Sequence, residues 1–364
     1  MSGSEPDNVF NSGAAKLLSF HQTVNGWLTG RETIPICVEI QPTERCNHRC
    51  PDCQAKYALP RREVRRRAQS GTDLDLELLK SLWDELPRGV VISGNTGDPL
   101  IYPQLVPLLN ELRQRSIPTV LICNGEGMNP EIASAAVSTC KGIRVSLDAF
   151  DPTSFRRSHG VQGESWERVL AGLQLLLDAR RETEATSSCL IGVGYLTDER
   201  TRPGMTKATR LARASGVDYI QFRPYHYRKG DVEAELDECR SLRTEAFEVL
   251  SSSQKYRADS DVRSYATCHG ASFYTVIDAA GDVYMCCHHV GNPNARLGSL
   301  RETVWRELLA SEARGRVMTA FRLGNCPPLC RLHSQNEALE EIRLTGVVPR
   351  VNLTGTALEH RMFL

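Results

Sequence analysis

The chain has 364 residues, 44 Lys and Arg against 44 Asp and Glu, and 13 Cys. At about 150 residues per domain this length suits one large domain and a smaller one, and 41% hydrophobic residues excludes fibrous and disordered classes. The formal charge of zero gives no global attraction to nucleic acid or to a membrane surface, so neither is an expected partner. No apolar run reaches the roughly 18 residues of a membrane span. The polar, acidic start is unlike a secretory signal. A cytoplasmic chain is the expectation.

Residues 14–28 read as a short helix within a helical lead over 1–33. A rhythm then begins. Strand candidates at 34–41, 89–93, 118–123, 142–147, 189–196 and 217–223 alternate with helical apolar spacing at 73–86, 103–116, 166–181 and 205–216. Thr72 and Asp73 are plausible caps for the first of these helices. Repeated alternation predicts an α/β fold with a parallel sheet and crossover helices, open or barrel-like. Ligands of such a sheet gather at the carboxyl ends of its strands. The rhythm ends near residue 230. Residues 232–252 read as helical, 272–287 as a hairpin around Ala279-Ala280-Gly281-Asp282, and about 300–321 and 332–344 as helices. The expected divisions are 1–33, 34–230, 231–344 and a tail over 345–364.

The cysteines fall into groups. Cys46, Cys50 and Cys53 lie within eight residues, directly after the first strand, so their thiols project from the ligand-gathering rim. Thiolates suit zinc or an iron–sulfur cluster. Zinc favours a fourth ligand from a second close pair, which His48 does not clearly replace. A cubane held by three Cys leaves one iron open. Structural zinc and three unrelated thiols are the alternatives. Later, Cys268, Cys286, Cys326 and Cys330 suffice to ligate a second cluster, or zinc. Cys287 reads as a hydrogen donor to a substrate radical, an alternative ligand or a buried bystander. Cys37, Cys123, Cys140, Cys189 and Cys239 are scattered and read as small buried hydrophobes.

The spacing Cys46-x3-Cys50-x2-Cys53 after a first strand resembles the radical S-adenosylmethionine (SAM) superfamily, over about residues 34–225. The resemblance implies a partial (β/α)6 barrel. It also implies a [4Fe–4S] cluster on these three Cys that chelates SAM and cleaves it with one electron. The 5′-deoxyadenosyl radical so formed takes hydrogen from an unactivated C–H. Asp52 departs from the aromatic or apolar residue frequent in the family. The segment 93–100 is similar to the family's Gly-Gly-Glu-Pro motif, which implies Thr96, Gly97 and Asp98 at the SAM amino group. Asn124 matches a Thr-Asn-Gly segment, and Ser146 a Ser-x-Asp segment that touches the ribose. Backbone groups near Phe222, with Arg223 beside them, match the adenine contact.

The later Cys resemble the auxiliary-cluster region of SPASM/Twitch enzymes, a β-hairpin plus helices. One auxiliary [4Fe–4S] cluster is implied, because the further C-x2-C-x5-C-x3-C array of a full SPASM region is absent. The C-x3-C at 326–330 departs from the usual C-x2-C of Twitch. The whole layout is similar to enzymes of antibiotic biosynthesis that modify carbohydrates, aminocyclitols or nucleosides. That implies oxidation, epimerisation or decarboxylation of a sugar-like ring, with flavodoxin or ferredoxin as electron donor. The basic run 61–67 reads as a solvated face or as attraction for an anionic substrate, and 224–231 suits a polyhydroxylated ligand. His159, Glu164 and Trp166 stand near the fourth-strand rim. Peptide modification is the alternative; the roughly 33 residues before the first strand are too few for a peptide-binding domain. A non-catalytic iron–sulfur or zinc scaffold is the third reading.

Overall fold

The computed structural model describes residues 13–31, 34–85, 87–183, 188–227, 230–252, 255–256, 263–355 and 359–363. Six strands run parallel and neighbour one another in chain order: β1 (Cys37–Ile40), β2 (Gly89–Ile92), β3 (Thr119–Cys123), β4 (Cys140–Ser146), β5 (Leu190–Thr197) and β6 (Tyr219–Pro224). All are where the apolar runs predict them. β1 and β2 are buried throughout, as expected of a parallel sheet covered on both faces. The covering helices keep the predicted spacing. Leu105, Leu108, Leu109 and Leu112 make the buried stripe of helix Leu105–Gln114, and Val169, Leu173, Leu176 and Leu177 that of helix Ser165–Glu182.

The sheet does not stop at residue 230. Residues 241–252, expected to be helical, instead contain β7 (Glu248–Ser251), which pairs in parallel with β6; only Glu233–Arg240 of that segment is helical. The hairpin strand β8 (Tyr274–Ile277) adds in parallel to β1, followed by antiparallel β9 (Asp282–Tyr284) and β10 (Arg296–Ser299). One ten-stranded sheet results, in the order β10-β9-β8-β1-β2-β3-β4-β5-β6-β7. The late cysteines are thereby carried on the edge of the barrel sheet itself.

Smaller differences have local causes. The N-terminal helix is two helices, Gly13–Leu18 and His21–Leu28. Asp75, not Thr72 or Asp73, caps the turn that leads into the next helix, by accepting from Glu77 N; Asp73 accepts from Thr43 Oγ1 at 2.7 Å and pairs with Arg45. The C-terminal segment closes the end of the sheet opposite the ligand-gathering rim. Lys16 Nζ donates to Phe363 O at 3.0 Å, His360 Nε2 meets Lys141 O at 3.1 Å, and Arg361 lies over the Phe20 ring.

Candidate active site

A cavity of about 290 Å³ opens at the carboxyl ends of β1 to β6. Cys46, Cys50 and Cys53 form one wall. Gly94, Asn95, Thr96, Gly97 and Asp98 come from the loop after β2, Asn124 from the end of β3, Ser146 and Asp148 from β4, Leu196 from β5 and Tyr225 from just beyond β6. The three-thiol loop and five of the seven residues expected at SAM (Thr96, Gly97, Asp98, Asn124 and Ser146) therefore meet. Phe222 and Arg223 do not line this cavity. The Phe222 ring packs edge-to-face on Tyr195, and its carbonyl accepts from Ser252 N at 3.0 Å because β7 pairs there. Arg223 lies on the inner face of β6.

The three thiols are costly to ionise. Burial, then Asp98, pushes Cys46 up to about 12. Burial, then Cys53 and Cys46, raises Cys50 well above the usual thiol range, and burial raises Cys53. Their polar neighbours are weak: Cys46 Sγ accepts from His48 N at 3.4 Å, and Cys53 Sγ faces Asn95 O at 3.4 Å. Three half-buried thiols whose ionised forms repel one another are a donor set for a cationic metal centre, which ionises them outright. Both side-chain polar atoms of Asn95, in the same wall, are buried and without a partner among the described residues. These residues fit an iron–sulfur cluster.

The rim is tied together by polar bonds rather than left open. Asp98 Oδ1 accepts from Leu100 N at 3.0 Å as the cap of the turn Pro99–Ile101, and Oδ2 accepts from Asn124 N at 2.7 Å. Burial raises this carboxyl to about 6 despite those two bonds. Asn124 Nδ2 donates to Asn47 Oδ1 at 2.7 Å, and Asn124 Oδ1 accepts from Glu126 N. Both side chains brace neighbouring loops. Gly97 has an equally local reason: a Cβ there would lie 2.0 Å from Thr43 O. Asp52, the departure within the cluster loop, pairs with Lys56 at 2.6 Å and Arg200 at 2.8 Å and so ties the loop to the rim after β5.

A buried histidine pair that sequence reasoning left undecided supports the cluster loop. His159 Nε2 meets Leu147 O at 3.0 Å, so that nitrogen is the donor, and His159 Nδ1 lies 3.2 Å from His48 Nδ1. His48 Nε2 lies 2.6 Å from Glu126 Oε2. Burial opposes charge on Glu126, but Arg168 and His48 hold its carboxyl below the usual range. His159 Nδ1 also stands 3.7 Å from Cys50 Sγ. Glu126 sits in the CNGEGM segment, yet no spacing announces its partners. Glu164 is exposed, and Trp166 packs on Phe155. Val64, Arg65 and Ala68 of helix Arg61–Ser70 line the cavity, while Arg66 and Arg67 pair with Glu63. Residues 228–229 of the 224–231 segment lie outside the described residues.

The second thiol group assembles beside β8 and β9. Burial, then Cys330, raises Cys268 to about 11 and Cys326 to about 12. Cys286 is raised by a hydrogen bond to Cys287, by burial and by Cys330. β9 ends at Tyr284, short of the expected Cys286, and Cys287–His289 is a single tight turn. Strand alternation therefore does not separate Cys286 from Cys287; their sulfurs and a His288 nitrogen all lie within 4.8 Å. Both thiols reach the group. Cys287 is also 3.8 Å from Arg331 Nη1, and Cys326 Sγ is 3.6 Å from His289 Nε2.

Residues 40–202 match the model of the radical SAM superfamily, and residues 268–333 match the SPASM iron-sulfur cluster-binding domain. The chain thus carries a segment that matches the radical SAM domain, followed by one that matches the SPASM domain. These two domains imply SAM, the cluster that binds it and auxiliary iron–sulfur as cofactors. The chain is 30% identical over 139 residues to an S-adenosyl-L-methionine-dependent tRNA 4-demethylwyosine synthase of Methanocaldococcus jannaschii, covering 38% of this chain and 40% of that protein. It is 27% identical over 146 residues to a GTP 3',8-cyclase of Microcystis aeruginosa, covering 38% and 42%. The chain thus spans about 40% of the length of these curated relatives. The fold is similar to that of Streptococcus suis SuiB (TM-score 0.56, 14% identity, 81% of this chain and 71% of that one). It is also similar to anSMEcpe with bound AdoMet (TM-score 0.54, 13% identity, 90% and 95%). No helix among the described residues is long and apolar enough to cross a membrane.

Proposed function

We propose that this enzyme cleaves SAM reductively at Cys46, Cys50 and Cys53 and directs the resulting hydrogen abstraction at a substrate held between the cavity and the second thiol group. One observation carries the reading: the three-thiol loop and the rim residues Thr96, Gly97, Asp98, Asn124 and Ser146 bound a single cavity. When bound, a [4Fe–4S] cluster supplies the electron that breaks the sulfonium bond. The chain's own residues hold that site. Asp98 and Asn124 brace the loops, His159 and Glu126 support the thiol loop, and the apolar helices exclude water. Cys268, Cys286, Cys326 and Cys330 would hold an auxiliary cluster, with flavodoxin or ferredoxin as the electron donor in a cytoplasmic setting.

Peptide modification is the better supported substrate reading. SuiB has been solved bound to precursor peptide SuiA, and anSMEcpe with bound AdoMet and the Kp18Cys peptide. The sugar-like or nucleoside reading stays as the second. It is favoured by the cationic inner face described below and by the GTP 3',8-cyclase relatives.

The test is anaerobic reconstitution, addition of SAM and dithionite, and mass spectrometry of 5′-deoxyadenosine, first alone and then with candidate peptides and sugars. Cleavage above the protein-free blank is expected, with substrate-dependent mass change in the matching class. Cluster-loaded protein that releases no 5′-deoxyadenosine would overturn the reading.

A further inference from the structure

Inward from the cavity, the inner face of the sheet carries cations that the cluster chemistry does not use. Arg144 precedes the cavity-lining Ser146 by two residues on β4, and so points to the same side. Arg223 likewise precedes Tyr225 by two residues. The two guanidiniums converge over Gly194 of β5. A Cβ built on Gly194 would stand 3.5 Å from Arg223 Nη2 and 3.6 Å from Arg144 Nε. Arg144 Nη1 donates to Gln221 Oε1 at 2.8 Å, but the Nε of both arginines is buried and has no partner among the described residues.

Lys255 belongs to the same group. Its amide donates to Ser252 O at 2.8 Å, and Ser252 N donates to Phe222 O at 3.0 Å, which sets Lys255 beside Arg223. No hydrogen bond or ion pair of the Arg223 guanidinium or the Lys255 ammonium occurs among the described residues. Two acids stand nearby and both are engaged: Glu39 with Arg331, and Asp148 with the Leu196 amide at 2.7 Å. Asp148 acts on Arg223 and Arg144 only at a distance. Buried cations that repel one another, with no acid paired to Arg144, Arg223 or Lys255 among the described residues, are costly unless a ligand supplies the anion.

We propose that this recess binds a terminal oxyanion of the substrate, a phosphate or a carboxylate, with Arg144 and Arg223 as paired donors and Lys255 as a point charge. The inference deepens the function proposed above by naming a substrate class, and it rests on that reading. Guanidinium forks match both oxyanions geometrically. The anion would then sit at the end of the substrate, with the reacting carbon nearer the thiol loop.

The test uses the full chain, reconstituted anaerobically and saturated with SAM. Inorganic phosphate, pyrophosphate and succinate are titrated calorimetrically at constant ionic strength. Saturable binding of one probe per chain is expected, weakened at least about tenfold by Arg223→Gln and by Arg144→Gln. Lys255→Met gives a second variant should an arginine change prevent folding, and the same direction is expected. Phosphate tighter than succinate assigns a phosphorylated substrate; the reverse assigns a carboxylate. Failure of all three probes, binding untouched by these variants, or probes that bind only in the absence of SAM would each overturn the inference. A chain that makes 5′-deoxyadenosine yet binds no probe sinks this inference alone and leaves the enzymatic reading standing.

Discussion

Arg331 Nη1 lies 3.1 Å from Glu39 Oε2, so the residue that follows Cys330 is bonded to the first strand of the barrel. Glu39 also accepts from Gln41 Nε2 at 2.8 Å, Ser93 Oγ at 2.7 Å and the Tyr274 hydroxyl. Arg331 covers the Tyr274 ring, 4.5 Å from its centroid. One buried carboxylate thus fastens the second thiol group to the strand that leads into the first.

Removing that carboxylate takes the paired anion from a half-buried guanidinium. Glu39→Ala is expected to destabilise the chain by about 3 kcal/mol, the usual cost of breaking a buried pair from one side. Urea denaturation under anaerobic, reducing conditions measures it. A loss below about 0.5 kcal/mol would show that the pair behaves like an exposed one.

Gly97→Ala puts a methyl against the Thr43 carbonyl, and the loop after β2 must shift. A loss of about 1–3 kcal/mol is expected. Gly26→Ala is the contrasting case. Gly26 lies inside helix His21–Leu28, and the nearest atom to its added Cβ is Arg31 Cβ at 3.9 Å. A gain of up to about 1 kcal/mol follows from helix propensity. Melting temperatures that fall together in both variants would refute the distinction.

Asp278, in the hairpin turn, accepts from Ala280 N and Asp282 N, each at 3.0 Å. Burial, then Asp282, raises its carboxyl from 3.8 to about 7. The folded state therefore holds a proton that the unfolded chain releases. Its contribution is fully present below pH 3.8 and is lost as pH rises to about 7. The loss is on the order of 4 kcal/mol. Asp278→Asn keeps the acceptor and cannot ionise. Its stability advantage over the parent should grow from pH 4 to pH 7. Parallel pH–stability curves for the two proteins would rule this out.

Iron content separates the two thiol groups. The parent is expected to hold about eight irons per chain, and Cys50→Ala or Cys268→Ala about four. Cys50→Ala should also abolish the SAM-dependent change in the EPR spectrum of the reduced protein. Of the adjacent pair, Cys286→Ala is expected to release iron and Cys287→Ala to retain it; the opposite result would exchange their roles.

Some of this was legible without coordinates, for physical reasons. Three cysteines within eight residues converge through local backbone alone, so their spacing speaks for their chemistry. Apolar runs and i, i+3, i+4 stripes marked the six parallel strands and their main covering helices, because burial there needs only periodicity. Two helices went unread although their start signals are local. Asn129 caps Pro130–Thr139, and Asp151 forms a capping box with Ser154 at the start of Pro152–His159. Those stretches offered Asn-Pro and Asp-Pro, a recognisable beginning without a long apolar run.

What only the tertiary structure decided are pairings between distant parts of the chain. β7 is a strand because β6 offers it an open edge; its four residues carry too little pattern to say so. The Asp98 oxygens look free in sequence and are occupied by two backbone amides in the fold. Arg144 and Arg223 lie on strands that β5 separates, and their convergence over Gly194 depends on the curvature of the sheet. Glu39 and Arg331 are 292 residues apart. Such contacts leave no local signature, because the free energy that selects them comes from desolvating charges together in one interior, and that interior exists only once the sheet has closed around it.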